Sequence, residues 1–258
     1  MSMNEKWSTR FELKPGKWVF VPAPDMIRLG QEIKSAVEKR WSAPPYFYHL
    51  RAGGHVAALR SHLANSVFVR LDIRNFFGSI GRSRVTRCLT SRFSHGVARE
   101  WAHMSTVRDP SSPARTIVPV GFVQSPIIAS LCLADSALGS HLDALHRGRQ
   151  VAVSVYVDDI ILSAEKADAL SDQVVDALRA TARRSHFTFS TEKSQGPGAA
   201  IEAFNIDLCH GALRVGEGRM AEFEQALKTS ASGPRRAGIL SYIGTVNVDQ
   251  HAEAKEAA

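Results

Sequence analysis

The chain has 258 residues, of which 44% are hydrophobic and 22% charged, and its net charge at pH 7 is +7. This composition predicts one or two folded domains with a sizeable core, and the excess of basic residues is compatible with nucleic acid as a partner. Widely spaced cysteines exclude a disulfide framework and a zinc site, whereas the lack of a signal peptide and of an apolar run of about 20 residues predicts a cytoplasmic protein without a membrane segment.

The first half of the chain alternates short β-rich runs with segments of helical periodicity. A Pro-Gly turn separates two β-rich runs, and apolar residues recur at helical spacing after it. In order, the predicted elements are a strand pair around residues 14–17, a helix at 25–41, a second helix at 55–65, a strand from Ser66 to Ile73, a basic helical region at 82–104 and a polar loop at 108–115.

The second half predicts helices around a central strand hairpin, so that the whole pattern is α+β. Pro126 fits the first turn of a long helix, and the polar tail predicts disorder. In order, the predicted elements are this long helix, ending near residue 146, a hairpin at 151–164, an amphipathic helix at 167–186, a short strand and turn at 187–194, a hairpin around 209–211, helices at 219–228 and 235–247 and a disordered tail at 249–258.

Two adjacent aspartates, Asp158 and Asp159, interrupt the apolar run VSVYVDDIILSAE. Burying both is costly unless a cation neutralises them. Asp72 ends another apolar strand, and it can face Asp158 if that strand pairs with the hairpin. Carboxylate oxygens are the ligands that Mg²⁺ prefers, and two such ions suit in-line phosphoryl transfer. Aspartates at a bend or a strand end can also be ordinary turn or cap residues, but their joint occurrence favours a metal site.

Five short motifs follow one another along the chain. LDIRNFFGSI contains Asp72, VPVGFVQSPIIAS contains Gly121, Ser125 and Pro126, YVDD carries the paired aspartates, and FTFSTEKS and AFNIDL come last. Through these motifs, over roughly residues 14–247, the chain resembles bacterial reverse transcriptases, the group that includes group II intron, retron and defence-associated enzymes. Tyr-x-Asp-Asp alone is a moderate signal, whereas the five motifs in order are a strong one.

The resemblance implies an α+β right-hand polymerase fold. Its palm would be an RRM-like antiparallel sheet with helices, joined to small fingers and a truncated thumb. The implied divisions are fingers at 1–70, palm with motif A at 71–81, a helical insertion of fingers and palm at 82–118, palm with motifs B to E at 119–208, and a reduced thumb and tail at 209–258.

The resemblance also implies a catalytic group of Asp72, Asp158, Asp159 and Lys193. Two Mg²⁺ ions, with Mn²⁺ as an alternative, would be bound by Asp72 and Asp158, by the Ile73 carbonyl, and more weakly by Asp159. Lys193 would approach the triphosphate and protonate the leaving pyrophosphate.

Further residues are implied to contact substrates. The ring of Phe77 would occupy the space that a ribose 2′-hydroxyl needs, which favours deoxynucleotides, and Tyr156 would lie under the primer end. The implied substrate-binding residues are Phe77, Gly121, Gln124, Tyr156, Lys14 and Lys17, and the implied nucleic-acid-binding residues are Arg82, Arg84, Arg87, Ser125, Pro126 and Phe204.

The chain departs from the family pattern at a few positions. Val120 stands where a glutamine usually precedes Gly121, and the nearest polar residue is Gln124. Lys17 stands where an arginine is common, so it offers a point charge instead of a planar fork.

The resemblance implies RNA-directed DNA polymerisation with Mg²⁺, within a bacterial anti-phage or retron-like system. Two alternatives stay open: an untemplated or protein-primed DNA polymerase of the abortive-infection type, and a catalytically weak palm that acts as an RNA-binding scaffold. Implied partners are an RNA template or structured non-coding RNA, a DNA or RNA primer, dNTPs, and a second protein or another copy of the chain, but no membrane.

Overall fold

The computed structural model describes residues 6–230 and 232–256. Up to the middle of the chain, the helices and strands are β1 (Trp7–Lys14), β2 (Lys17–Pro22), α1 (Pro24–Arg40), α2 (Gly54–Arg60), β3 (Val67–Asp72), α3 (Arg82–Thr90), α4 (His95–Met104), β4 (Val107–Asp109), β5 (Ser112–Ile117), α5 (Ser125–Ala134) and α6 (Ala137–Gly148). The rest are β6 (Ala152–Tyr156), β7 (Asp159–Ala164), α7 (Asp172–Arg184), β8 (Gln195–Gly198), β9 (Ala200–Ala203), β10 (Ile206–Cys209), β11 (Ala212–Val215), α8 (Glu217–Thr229), α9 (Gly233–Val246) and α10 (Val248–Glu256).

A four-stranded antiparallel sheet in the order β6-β7-β3-β8 forms the centre of the fold. Strand β7 is buried along its whole length because both faces of the sheet are covered. Alternate residues point to opposite faces, so Ile160 and Leu162 pack into the larger apolar cluster and Ile161 into a smaller one. The predicted α+β class and antiparallel sheet are therefore confirmed.

The smaller cluster joins the sheet to the C-terminal part of the chain. Here β9, β10 and β11 form a three-stranded sheet against α8 and α9. The predicted hairpin around 209–211 is confirmed as β10 and β11, but the predicted extent of its first strand was wrong. Phe204 and Asn205 both have φ of 58°, so a tight turn divides the run AIEAFNIDL into β9 and β10.

The tail prediction was also wrong within the described residues. Residues 248–256 form α10, and its Gln250 is buried. The Gln250 side chain accepts from the Val215 amide at 2.7 Å and donates to the Val215 carbonyl at 3.0 Å. A polar composition hid this element, because a buried glutamine that satisfies a strand edge looks the same in sequence as an exposed one.

Three smaller predictions also need correction. The expected polar loop at 108–115 is largely the β4–β5 hairpin. The expected long helix breaks into α5 and α6, because the Ser136 hydroxyl accepts from the Gly139 amide at 3.1 Å and caps a new helix. The segment at 187–194 forms only an isolated bridge, from Phe189 to Ile73.

Two further expectations concern membrane segments and the state of the cysteines. Within 6–230 and 232–256, none of the helices combines the length and the apolar character that a membrane span requires. Cys88 and Cys132 are buried and Cys209 is half-buried, and all three are free thiols.

Candidate active site

Three carboxylates meet where β3 ends and β7 begins. Asp72 is the last residue of β3 and lies directly opposite Asp159, the first residue of β7. Sequence reasoning placed Asp158 opposite Asp72, but the hairpin bends at Val157 and Asp158, so the register shifts by one residue. The Asp158 carbonyl accepts from the Ile73 amide at 2.8 Å, which keeps Asp158 beside the end of β3.

Two of the three carboxylates are buried, Asp158 is half-buried, and their charges act on one another. Asp72 is 3% exposed and Asp159 is 8% exposed. Burial raises the pKa of Asp158, and the charges of Asp159 and Asp72 raise it further. Burial also raises the pKa of Asp159, against the opposing effect of Arg70. Two cations offset this negative charge: Arg70 Nε lies 2.7 Å from an Asp159 oxygen, and Lys193 Nζ lies 3.1 Å from an Asp72 oxygen.

The arrangement fits a hard divalent cation at Asp72 and Asp158. Both side chains line the same cavity, and the raised pKa of Asp158 reflects a charge that a cation would relieve. Asp159 fits less directly, because Arg70 already binds its carboxylate. In the part of the chain that the structure describes, no group of three or more His, Cys, Asp or Glu side chains has an arrangement that could hold a metal ion. Asp72 and Asp158 are therefore the candidate metal ligands, and Asp159 is not one of them.

A cavity of about 660 Å³ opens from these carboxylates toward the β1–β2 and β4–β5 hairpins. Phe77 forms part of its surface and packs on Phe76, with ring centroids 5.5 Å apart. Basic side chains face the same space. The cationic residues that line the cavity, here called the cation wall, are Lys17, Arg74, Arg115 and Lys193.

Other predicted substrate residues lie at different distances from this cavity. Lys17 lines it, whereas Lys14, its partner across the turn, does not. Gly121 has φ of 110°, and a Cβ there would collide with the Phe20 carbonyl. The glycine thus lets the segment before α5 approach β2, where the Phe20 amide donates to the Val120 carbonyl at 2.9 Å.

Gln124 and Ser125 are buried and contact other residues of the protein. Gln124 is fully buried, and its amide nitrogen lies 3.4 Å from the Ser105 hydroxyl. Ser125 is also buried, and its hydroxyl donates to the Pro119 carbonyl at 2.6 Å. Neither side chain has surface for a nucleotide or a strand, because the start of α5 is packed inside the protein. Pro126, next in the chain, is half-buried.

The predicted basic helix likewise contains residues that contact other protein groups and a residue that is exposed. Arg84 stacks on Phe187 with 4.7 Å from its guanidinium carbon to the ring centroid, and it donates to the Ser185 carbonyl. Arg82 donates to the Thr106 hydroxyl at 3.1 Å. Of these three predicted arginines, only Arg87 is exposed and makes no such bond in the described structure, so among the three it is the one that keeps a surface for phosphate.

Tyr156 and Phe204 lie on the other side of the hairpin bend. Their rings meet edge to face at 5.2 Å, and His55 packs on both. His55 in turn lies 3.2 Å from the Tyr242 hydroxyl of α9. These rings connect the YVDD turn with α2, β9–β10 and α9, and they make an aromatic surface beside the carboxylates.

Sequence reasoning missed several residues of this site. Arg70 precedes Asp72 by two positions, so strand periodicity could have placed it on the same face. Arg115 was hidden because its segment reads as a polar loop. His62 is fully buried, with its ring nitrogens 2.7 Å from the Ser163 hydroxyl and 2.8 Å from the Ser154 hydroxyl, so it joins both strands of the β6–β7 hairpin.

Comparison with known proteins identifies the family of this chain. The family model described as "Reverse transcriptase (RNA-dependent DNA polymerase)" matches residues 26–198. None of the curated proteins matches the chain.

Similar solved structures include two larger proteins. The foamy viral protease-reverse transcriptase in complex with double-stranded DNA has 15% identity and a TM-score of 0.49, over 90% of this chain and 34% of that one. Telomerase from Candida tropicalis has 11% identity and a TM-score of 0.48, over 74% of this chain and 45% of that one. The chain therefore spans less than half the length of either structure.

Proposed function

The chain belongs to the reverse transcriptase (RNA-dependent DNA polymerase) family, and we propose that it is itself an RNA-directed DNA polymerase that extends a primer with deoxynucleotides. One observation carries the proposal: Asp72 and Asp158 lie at one end of a cavity whose lining also includes the cation wall and Phe77. Carboxylates for a metal, cations for a triphosphate and a ring beside the sugar are the groups that nucleotidyl transfer needs.

Each part of the cavity has a role in this reaction. Mg²⁺ or Mn²⁺ ions held by Asp72 and Asp158 would promote ionisation of the primer 3′-hydroxyl and neutralise charge on the phosphates. Lys17, Arg74 and Arg115 reach into the cavity and would bind the triphosphate. Lys193 is 60% exposed beside Asp72, so its ammonium group can turn to the leaving pyrophosphate and give it a proton.

Phe77 sets the expected choice of sugar. It is half-buried on the cavity surface, and it is held by Phe76 beneath it. A rigid ring at this place leaves no room for a 2′-hydroxyl. With Phe77→Val we expect ribonucleotide incorporation to rise by about tenfold to a hundredfold relative to deoxynucleotides. Competition of dNTPs and rNTPs in primer extension measures the ratio, and an unchanged ratio would reduce Phe77 to a packing residue.

The central test is primer extension by the purified, nuclease-treated protein. An oligo(dT) primer on poly(rA), with dTTP and Mg²⁺ or Mn²⁺, should give extended products, and Asp158→Asn should give none. Omitting the template and offering dATP, dCTP or dGTP instead tests whether synthesis is templated. Products that ignore the template would favour the untemplated alternative. If no template, primer or metal gives products, the result would favour the alternative of an RNA-binding scaffold.

We further propose that the chain works with Mg²⁺ in a bacterial defence or retron-like setting and binds a structured RNA. Its net charge of +7 and the exposed Arg87 support an RNA partner. The test is sequencing of RNA that copurifies with the wild type and with Arg87→Glu. One enriched structured RNA, lost in the variant, supports the partner, whereas random cellular RNA contradicts it.

A further inference from the structure

The YVDD turn contains a residue in an unfavourable backbone conformation. Val157 has φ of 60° in the two-residue turn between Tyr156 and Asp159. Left-handed backbone is rare for β-branched residues, and such strain costs on the order of 1–3 kcal/mol. Strain of this kind persists only where neighbouring groups hold it. The group that holds Val157 therefore also holds Asp158, the next residue.

His49 makes that contact. The Val157 amide donates to His49 Nδ1 at 3.0 Å, and His49 Nε2 lies 2.6 Å from the Ser130 hydroxyl. Ser130 in turn donates to the Pro126 carbonyl at 2.8 Å. Nδ1 also lies 3.5 Å from the Val155 carbonyl, but the Val157 amide is closer and can only donate. Nδ1 is therefore assigned as the acceptor, and Nε2 carries the proton that goes to Ser130. The chain of bonds runs in one direction, from the turn to α5.

The surroundings keep the His49 ring neutral and fixed. Burial lowers the pKa of His49 to about 4, so the ring has a free Nδ1 lone pair at neutral pH. Phe47 stacks on the ring at 5.8 Å and Tyr156 meets it edge to face at 5.9 Å. The Val155 amide donates to the Tyr46 carbonyl at 2.8 Å, so the segment before His49 runs along β6 and delivers the ring to the turn.

We propose that His49 is a positioning residue for polymerisation: it holds the Val157 turn so that the Asp158 carboxylate faces the cavity. The backbone is then fixed on both sides of that carboxylate, by His49 at the Val157 amide and by the Ile73 amide at the Asp158 carbonyl. The proposal rests on the proposed polymerase function, because it assigns His49 a role in that reaction.

A purely structural role makes a different prediction. If His49 only filled the space between Phe47 and Tyr156, a ring of similar shape would replace it without loss. The hydrogen bond to Val157 requires an acceptor at the δ position. Phenylalanine keeps the ring and removes the acceptor, whereas asparagine removes the ring and places an amide oxygen near the position of Nδ1.

The experiment compares His49→Phe, His49→Asn and Ser130→Ala with the wild type. We expect His49→Phe to lower kcat by about tenfold to a hundredfold, with little change in KM for dTTP, since a misplaced catalytic group slows the chemical step. His49→Asn should recover most of kcat, and Ser130→Ala should lose less than His49→Phe. His95→Asn, an exposed histidine on α4, is the matched control and should behave as the wild type.

Hydrogen exchange of the Val157 amide, followed by NMR, gives a readout that needs no activity. The amide should be protected in the wild type and His49→Asn, and exposed to exchange in His49→Phe. Wild-type kcat in a folded His49→Phe variant, or equal losses in the Phe and Asn variants, would overturn the proposal. If the wild type makes no DNA, the polymerase function fails and His49 loses its catalytic role, even where the exchange pattern confirms the hydrogen bond.

Discussion

The two ends of the cavity are built differently. Its floor, the group of Asp72, Asp158 and Asp159, lies at the end of the central sheet. Asp72 and Asp159 are buried and each has a cationic partner, whereas Asp158 is half-buried beside them. The opposite side, formed by the β1–β2 and β4–β5 hairpins, presents Lys17 and Arg115 on exposed two-stranded ribbons. The floor is thus preorganised and the hairpin side is adaptable. Changes in the floor should alter kcat and stability, whereas changes on the hairpins should alter KM.

The sequence explains this contrast. Strands β3 and β7 are apolar runs covered on both faces, so their register is fixed by packing. Both hairpins pair with register shifts and bury few residues. An exposed ribbon of two strands has little packing to hold it in one position. The hairpins can therefore adjust to a nucleotide, while the floor stays in place.

The largest effect should follow from Asp158→Asn. The amide keeps the shape but removes the charge that would bind a metal, so we expect primer extension to fall by about a thousandfold or more. The fold should be retained, because removing one of several mutually repelling carboxylates relieves a cost of burial. Asp176→Asn, in an exposed ion pair of α7, is the control and should keep full activity. Near-normal extension by Asp158→Asn would contradict the role of the floor.

Arg70→Gln should give the next largest effect, on stability. It leaves the Asp159 carboxylate buried without its cation, and breaking such a pair costs about 3 kcal/mol. The matched control is Arg179→Gln, whose ion pair is exposed and should be worth less than about 1 kcal/mol. Urea unfolding of both variants measures the difference. Equal losses would mean that Arg70 is no more than a surface cation.

The floor was largely predictable from sequence and the hairpin side only in part. Asp72 and Asp158 could be found because carboxylates at the ends of apolar runs are conspicuous. The burial of Gln124 could not be predicted, because an amide beside a motif looks the same in sequence whether it faces a substrate or the core. Arg115 was missed because a short hairpin rich in proline and serine has no clear period.

The neutral histidines were invisible for a related reason. A single histidine shows no periodicity of its own, and only the fold reveals that His62 bonds to one serine of β6 and to one of β7. Its partners Ser154 and Ser163 are also buried, on strands that otherwise read as apolar. Contacts between residues so far apart along the chain depend on topology, which local patterns do not contain.

His62 also makes the stability of the folded protein depend on pH. Burial lowers its pKa to about 3. Below about pH 6.5 the unfolded chain binds a proton that the folded chain refuses, so stability falls as the pH falls, by up to about 2 kcal/mol for this residue at pH 5. Urea unfolding at pH 7.5 and 5.0 should show a smaller pH effect in His62→Gln than in the wild type. The same pH effect in both proteins would contradict a buried neutral His62.

The smallest effect, Lys17→Ala, separates the two ends of the cavity most sharply. An exposed lysine that contacts a phosphate is worth up to about 1 kcal/mol, so KM for dNTP should rise by up to about fivefold while kcat stays the same. The effect should shrink at high salt, because ions screen an exposed charge. Lys14→Ala is the matched control, since Lys14 pairs with Lys17 across the turn but does not line the cavity. If both variants raise KM equally, the hairpin acts through its overall charge and not through a contact of Lys17. A drop in kcat with Lys17→Ala would instead show that the hairpin belongs to the preorganised part of the site.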